Sequence, residues 1–232
     1  MIRAVIFDFN GVLVDDEHVH FELLREVLGQ EGIALSEPEY HARYLGFDDR
    51  GCFEAALSEA RQVVDRDRVD ELIARKARRY VAVAETGLRY FPGAAECLAT
   101  LAERWPLAIC SGAIRSEIEF ALMRLNQRER IEAIVAAEDT TRCKPDPEGY
   151  LLALKALRAR SGLGLADLEA GECLVVEDSL AGVESAKAAG MRAVGVAHTY
   201  TPEELRSAGS DAILPGLASL TPAWLERTFA RD

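Results

Sequence analysis

The residues able to do chemistry in this chain stand at the ends of short apolar runs. Asp8 and Asn10 follow Ala4–Phe7, Ser111 follows Leu107–Cys110, Glu138 and Asp139 follow Ile131–Ala137, and Glu177 and Asp178 follow Cys173–Val176. Lys144 lies in the stretch after the third run. Asp8 with Glu177 and Asp178 offers the carboxylate oxygens that a hard divalent cation such as Mg2+ takes. Without a cation, carboxylates brought together repel and shift one another's pKa. A carboxylate placed like Asp8 can also attack phosphorus and carry the phosphoryl group as an aspartyl phosphate. Lys144 would neutralise both the nucleophile and the arriving phosphate. Ser111 and the main-chain N–H groups of Gly112 and Ala113, opening a helix, would hold the phosphoryl oxygens. The set outlines a phosphate-and-metal site, provided the fold gathers these distant residues.

The elements that must gather them follow from the pattern of apolar residues. Ala4–Phe7, Leu107–Cys110, Ile131–Ala137, Cys173–Val176 and Ala193–Ala197, with Ala212–Leu214 as a weaker sixth, have few polar interruptions and many β-branched residues. That is how strands buried on both faces read. Between them lie helix-length segments at Gly93–Arg104, Arg115–Leu125, Pro147–Arg160, Leu180–Ala189 and Pro202–Ser207. Strands alternating with helices predict right-handed βαβ units and a doubly wound, parallel, Rossmann-like sheet of the α/β class. Ligands bind such sheets at the carboxyl ends of the strands, so the polar residues named above fall on one rim. Residues 16–87 break the alternation. They hold amphipathic helical stripes, Val19, Leu23, Leu24, Val27 and Leu28 in one and Val69, Leu72, Ile73, Ala77, Tyr80 and Val81 in another. This predicts an all-helical insertion (16–87) in a core built from 1–15 and 88–232.

Composition limits the function classes. The 232 residues suit one domain of ordinary size plus a smaller one, and 49% hydrophobic with 28% charged residues is a globular balance. The formal charge of −12 repels nucleic acid and anionic lipid over most of the surface, which leaves small molecules as partners. A small anion remains admissible where a local cation or metal reverses the sign. Five scattered cysteines without a CxxC pair favour reduced thiols over disulfides or structural zinc. The first apolar run is too short for a signal peptide or membrane span, so the expectation is a cytoplasmic protein, with a monomer as the default. The cysteines read as core fillers, with a lowered pKa as the alternative for Cys143, beside Lys144.

Asp8-Phe9-Asn10-Gly11-Val12-Leu13 after an apolar strand, Ser111-Gly112, Lys144-Pro145 and Glu177-Asp178-Ser179 together resemble the four motifs of the haloacid dehalogenase superfamily in order, strand context and separation. The likeness runs from about residue 2 to 215, and the helical segment is similar to that family's four-helix cap. More narrowly, the chain resembles the β-phosphoglucomutase-like branch of sugar-phosphate phosphatases and mutases. There His20, Gly46-Phe47-Asp48-Asp49-Arg50 and Lys76 occupy places like those of cap contacts to substrate.

The resemblance implies Asp8 as nucleophile, and Mg2+ on Asp8, Asp178, the main-chain carbonyl of Asn10, and Glu177 directly or through water. It further implies Ser111 and Lys144 on the phosphoryl group, and Gly112, Ala113, His20, Arg50 and Lys76 as substrate contacts. Taken as residue types alone, Arg50 and Lys76 read as surface residues. The implied activity is Mg-dependent phosphatase chemistry on a small phosphorylated metabolite.

One position departs from the pattern. The phosphatases and mutases of that superfamily carry a second aspartate where this chain has Asn10. That acid protonates the leaving oxygen and later activates water, and an amide does neither. Losing such help costs about 10²–10⁴ in rate. The readings left open are a phosphatase of leaving groups that need little protonation, proton transfer by His20, and a phosphate-binding or regulatory protein with little turnover. Phosphomutase chemistry would suffer most from the loss, and dehalogenase chemistry would leave Glu177-Asp178 without a metal to hold.

Overall fold

The computed structural model describes residues 1–44 and 47–230. Six strands, β1 (Ala4–Phe7), β2 (Leu107–Cys110), β3 (Ile131–Val135), β4 (Cys173–Glu177), β5 (Arg192–Val196) and β6 (Ala212–Leu214), form one sheet in the order β3-β2-β1-β4-β5-β6. Every pairing is parallel, with Val5 opposite both Leu107 and Leu174. Side chains alternate across a strand. Val5 and Phe7 therefore enter one apolar cluster while Ala4 and Ile6 enter another. The first cluster is covered by α5 (Ala94–Ala102), α6 (Arg115–Arg124) and α10 (Pro222–Thr228), the second by α7 (Glu148–Ala159), α8 (Leu180–Ala188) and α9 (Pro202–Ser207). The result is a three-layer doubly wound α/β fold.

The chain leaves β1 toward β2 on one side and later returns to β4 on the other. The strand order thus reverses between β1 and β4, and a crevice opens beyond their carboxyl ends. Three strands differ from the sequence pattern at their ends, β5 only by a one-residue shift to Arg192–Val196. The third strand stops at Val135, because the Ala136 N–H turns to the Asp139 carboxylate (2.8 Å) and starts a short 3-10 turn. The fourth runs one residue further, to Glu177. The helix α10 lies beyond the elements the periodicity assigned, and Thr221 caps it by accepting from the Trp224 N–H at 3.2 Å.

Between β1 and α5 lie four helices, α1 (Glu17–Gln30), α2 (Glu37–Arg43), α3 (Asp49–Glu59) and α4 (Arg66–Gly87). Leu24, Val27 and Leu28 meet Tyr40, Phe53, Leu57, Val69 and Leu72 in an apolar cluster of their own. Leu23, Tyr80 and Ala84 form a smaller cluster that reaches Phe120 on α6. On α4 the buried positions are Val69, Leu72, Lys76, Tyr80 and Ala84, so the stripe passes through Lys76, while Ala77 and Val81 are only half-buried. The two chain crossings between this helical segment and the sheet are tied together. Val14 pairs antiparallel with Tyr90, and the Asp15 N–H donates to the Arg89 carbonyl at 3.0 Å. Among the described residues no helix is long and apolar enough to cross a membrane.

Candidate active site

Asp8 sits one residue past β1, its N–H donating to the Val176 carbonyl on β4 at 3.0 Å. This bond locks the first strand's end against the fourth's. Asp8, Glu177 and Asp178 are all buried, and each offers an oxygen within 4.8 Å of the others'. Two glycines make that approach possible. Gly11 has φ +74°, and a Cβ there would lie 2.1 Å from Asp178 Oδ2. A Cβ on Gly182, in the first turn of α8, would lie 1.8 Å from Glu177 Oε1. Ser179 caps that helix by accepting from the Gly182 N–H at 3.0 Å.

Lys144 binds the cluster together. Its Nζ is 2.9 Å from Asp8 Oδ1 and 2.6 Å from Glu177 Oε1. Burial opposes a charged ammonium, but attraction to Asp8 and Glu177 more than offsets it and holds Lys144 above its ordinary pKa. Glu177 is saturated by protein donors: Tyr150 (2.7 Å) and Lys144 on Oε1, and the Asp178 N–H, Ser179 N–H and Ser179 hydroxyl on Oε2. Burial raises its pKa, and Lys144 together with these donors lowers it further than burial lifts it. Asp8 differs. Its Oδ1 has Lys144 as its one close partner, and burial and the Glu177 charge outweigh that ammonium and push the carboxyl up to about 6. Asp178 is pushed well above the carboxylate range by burial, Glu177 and Asp8. Two carboxyls with raised pKa values, in a cluster short of positive charge, are the donor set a divalent cation fits. Asp8 and Asp178 are the open positions. Glu177, already satisfied, suits contact through water or support of the other two.

Asn10 stands at the crevice's other wall. Its amide donates to both oxygens of Asp16, at 3.0 and 2.9 Å, and its carbonyl faces the Ser111 hydroxyl at 3.4 Å. Ser111 in turn accepts from the Ala113 N–H at 3.2 Å. Asp16 is fully buried, with the Tyr80 hydroxyl donating at 2.5 Å and His20 Nε2 at 3.3 Å. Burial pushes its carboxyl up, and His20, Tyr80 and Asn10 pull it below the ordinary value. His20 Nδ1 lies 2.6 Å from Lys76 Nζ, which also bonds Asp49 at 2.6 Å. A chain of buried polar groups thus runs from Asn10 through Asp16 and His20 to Lys76 and Asp49. Beside it, Glu117 on α6 is 2% exposed and its Oε1 has no partner; burial, against the pull of His20 and Lys76, lifts it to about 7.

A cavity of about 140 Å³ connects these groups. Asp8, Asn10, His20, Ser111, Gly112, Ala113, Lys144 and Asp178 line it, as do Glu17, Asp48, Asp49 and Glu117. Glu177 sits beneath, behind Lys144. Lys76 does not line it and instead stands behind His20, buried, contrary to its reading as a surface residue. Arg50 points elsewhere, paired with Asp70 and facing Glu54 at 3.8 Å. Glu138 and Asp139 hold Arg115. Gly46 lies outside the described residues. Cys143 is exposed and no core filler, and the alternative of a low pKa is reversed: partial desolvation and the Asp48 carboxylate, 2.9 Å from its sulfur, push the thiol up to about 12. Asp16, Glu117, Tyr80, Tyr150 and Thr199, which bonds Asp178, carry no role in the sequence reading. Only Tyr80 left a trace there, as a member of the second amphipathic stripe.

Residues 5–196 match the family model of the haloacid dehalogenase-like hydrolases. The chain belongs to that family. Among its relatives is a validoxylamine A 7'-phosphate phosphatase of Streptomyces hygroscopicus subsp. limoneus, 30% identical over 222 residues that cover 95% of this chain and 96% of the relative. A phosphorylated carbohydrates phosphatase of Thermotoga maritima is 32% identical over 216 residues, covering 92% and 94%. In structure, this haloacid dehalogenase-like hydrolase superposes on CbbY from Rhodobacter sphaeroides, solved in complex with phosphate. The TM-score is 0.81 with 27% identity, and 97% of this chain and 100% of that one are covered.

Proposed function

We propose that this hydrolase is a phosphatase of small phosphorylated metabolites that works through Asp8, with residues 16–87 as a helical cap on the core of 1–15 and 88–232. The observation that carries the reading is the gathering of three buried carboxylates, Asp8, Glu177 and Asp178, around a single ammonium, Lys144, 2.9 Å from Asp8 Oδ1. Mg2+ held by Asp8, Asp178 and the Asn10 main-chain carbonyl, with Glu177 behind, would supply the charge that this cluster lacks. Lys144, Ser111 and the Gly112 N–H orient the phosphoryl oxygens, while the Ala113 N–H, spent on the Ser111 hydroxyl, holds that side chain in place. An Asp8 oxygen forms the new bond to phosphorus as the bond to the leaving oxygen breaks, and water later cleaves the aspartyl phosphate.

The leaving oxygen needs a proton, and Asn10 has none to give. His20 lines the cavity, yet Lys76 occupies its Nδ1 and its Nε2 lies between Asp16 and Asn10. Its ring is tied into the buried polar chain. The reading therefore favours substrates whose leaving group needs little protonation, such as acyl and aryl phosphates. The missing acid also supports a second reading, a phosphate-binding protein with little turnover.

One experiment tests both. Incubation with Mg2+ and acetyl phosphate, followed by intact-mass measurement, is expected to give a phosphoryl adduct that Asp8→Ala lacks. An adduct that turns over supports the phosphatase, and one that persists supports the binding protein. No adduct, together with no phosphate released from a panel of phosphorylated metabolites, would overturn the proposal.

A further inference from the structure

Beside the catalytic cavity lies a larger groove of about 690 Å³, between α3 and α4 on one side and the segments before α6 and after β3 on the other. Asp48, Asp49, Gly112, Thr140 and Cys143 line both, so the two spaces are continuous. The leaving group of a phosphate seated at Asp8 can extend through this opening.

The floor of the groove is apolar. Ile73 and Ala77 stand four residues apart on one face of α4 with Ala74 beside them, and Ile114 and Ala137 stand on the other wall. Ile73 and Ala77 belong to the amphipathic stripe of the sequence, yet both are only half-buried. The helical cluster buries Val69 and Leu72, touches Ile73 at its edge and does not reach Ala77. Ile114 is stranger still. It is the N-cap of α6, where Ser, Thr, Asp or Asn would accept from the first turn, and it makes no such bond. Glu138 supplies the missing acceptor, taking the Arg115 N–H at 3.1 Å. The chain thus gives up a capping side chain to place an isoleucine in the wall of the groove.

The charged residues around this floor are matched. Arg50 pairs with Asp70 and faces Glu54 at 3.8 Å, Arg66 faces Asp70 at 3.8 Å, and Asp49 holds Lys76 at 2.6 Å. Asp48 accepts from the Gly51 N–H and the Cys143 thiol, and Asp65 caps α4. What these pairs leave unpartnered is the apolar strip. An apolar centre ringed by satisfied polar groups is built to take an apolar group.

We propose that this groove is a binding subsite for a hydrocarbon arm on the leaving group, the chain of an acyl phosphate or the ring system of an aryl phosphate, with Ala77 and Ile114 among the residues that select it. The inference rests on the phosphatase reading for where the phosphoryl group sits. It agrees with the chemistry at Asn10. As Asp8 takes the phosphoryl group of an acyl phosphate, the P–O bond breaks and the carboxylate leaves with its electron pair. That step moves no proton, so it balances without an acid.

Two substrate series test this with Mg2+ present, acetyl against hexanoyl phosphate and phenyl against 2-naphthyl phosphate. In at least one series kcat/KM for the larger member should exceed that for the smaller by at least about tenfold, since each methylene buried is worth up to about fourfold. A gain with hexanoyl phosphate marks a chain as the arm, and a gain with naphthyl phosphate marks a ring. Ala77→Phe fills the floor and should slow the favoured larger member at least about tenfold more than the smaller. Ala74→Gln, at an exposed position of α4 that tolerates a polar side chain, should shrink the same gap. Equal kcat/KM within both series would overturn the proposal, as would a gap that neither variant changes. So would variants that slow small and large substrates alike, the result expected if the two walls serve only to close on each other.

Calorimetric titration with methylphosphonate and hexylphosphonate lets the two readings fail separately. Tighter binding of the hexyl compound, lost in Ala77→Phe, with no phosphate released from any substrate would sink the phosphatase reading and keep the groove. Phosphate release without discrimination would do the reverse. No binding of either phosphonate and no turnover would end both.

Discussion

At the scale of single residues, Asn10 is explained by Asp16. The amide donates to both oxygens of a carboxylate with no solvent exposure, so an aspartate in its place would set two carboxyls about one hydrogen bond apart. One of them would have to stay protonated, and stability should fall by about 1–3 kcal/mol. The expected outcome is a lower Tm for Asn10→Asp at neutral pH. The Asn10→Asp, Asp16→Asn double variant should recover it, because donor and acceptor are exchanged. With the acid restored and unopposed, that double variant should hydrolyse an alkyl phosphate at least about tenfold faster than the parent protein. Unchanged Tm in the single variant would mean that the Asn10–Asp16 contact is dispensable. Glu117 gives a second test. Its carboxyl is lifted from 4.5 to about 7, mainly by burial. Between those pH values the folded protein keeps a proton the unfolded chain has lost, so stability falls as pH rises through the window, by roughly 3 kcal/mol in all. Glu117→Gln has no such proton, and its stability relative to the parent should rise from about pH 5 to about pH 8. Urea denaturation at both pH values measures this. Parallel changes in the two proteins would rule out a titrating Glu117.

At the scale of elements, the strand ends position the carboxylates and the glycines beside them leave the room. A methyl on Gly11 would meet Asp178 at 2.1 Å in a backbone region with φ +74°, and one on Gly182 would meet Glu177 at 1.8 Å. Gly11→Ala and Gly182→Ala should each abolish the rise in Tm that Mg2+ gives a protein whose folded state alone binds it. Gly29, exposed in α1 with nothing within 4 Å of its virtual Cβ, is the control. Gly29→Ala should add about 0.5–1 kcal/mol and keep the Mg2+ response. A retained response in both site variants would remove the carboxylate cluster from metal binding. The strand ends were readable in the sequence because strands buried on both faces are nearly continuous apolar runs, and Asp8, Ser111 and Glu177 each interrupt or follow one. The crevice wall was not. Lys76 and Glu117 are polar residues on helices, where sequence period marks the buried face by its apolar members. An acid in a first helical turn, as Glu117 is, is also what the helix dipole favours at a solvated end. Helices α2 and α3 hide for a related reason. Each is short, and each takes its place from packing against α1 and α4 through Tyr40 and Phe53.

At the scale of the whole molecule, the net charge acts against the site it surrounds. The chain carries −12, and the cavity lining adds Glu17 and Asp48 to the field an approaching phosphate must cross. Inside, Lys144 reverses the sign, but it is buried and already neutralised by two carboxylates, so its field does not reach far into solvent. Association should therefore be slowed by long-range repulsion and not steered. Added salt shortens the screening length from about 30 Å at 0.01 M to about 8 Å at 0.15 M, which removes the distant repulsion and leaves the buried contacts nearly intact. The expected result is that kcat/KM for a monophosphate rises over that range at fixed Mg2+, while kcat at saturating substrate stays level. An enzyme steered by a basic cleft would show the opposite slope. If kcat/KM instead fell with salt, the cations near the mouth would outweigh the global charge, and Arg142, 66% exposed at the cavity edge, would be the residue to remove next.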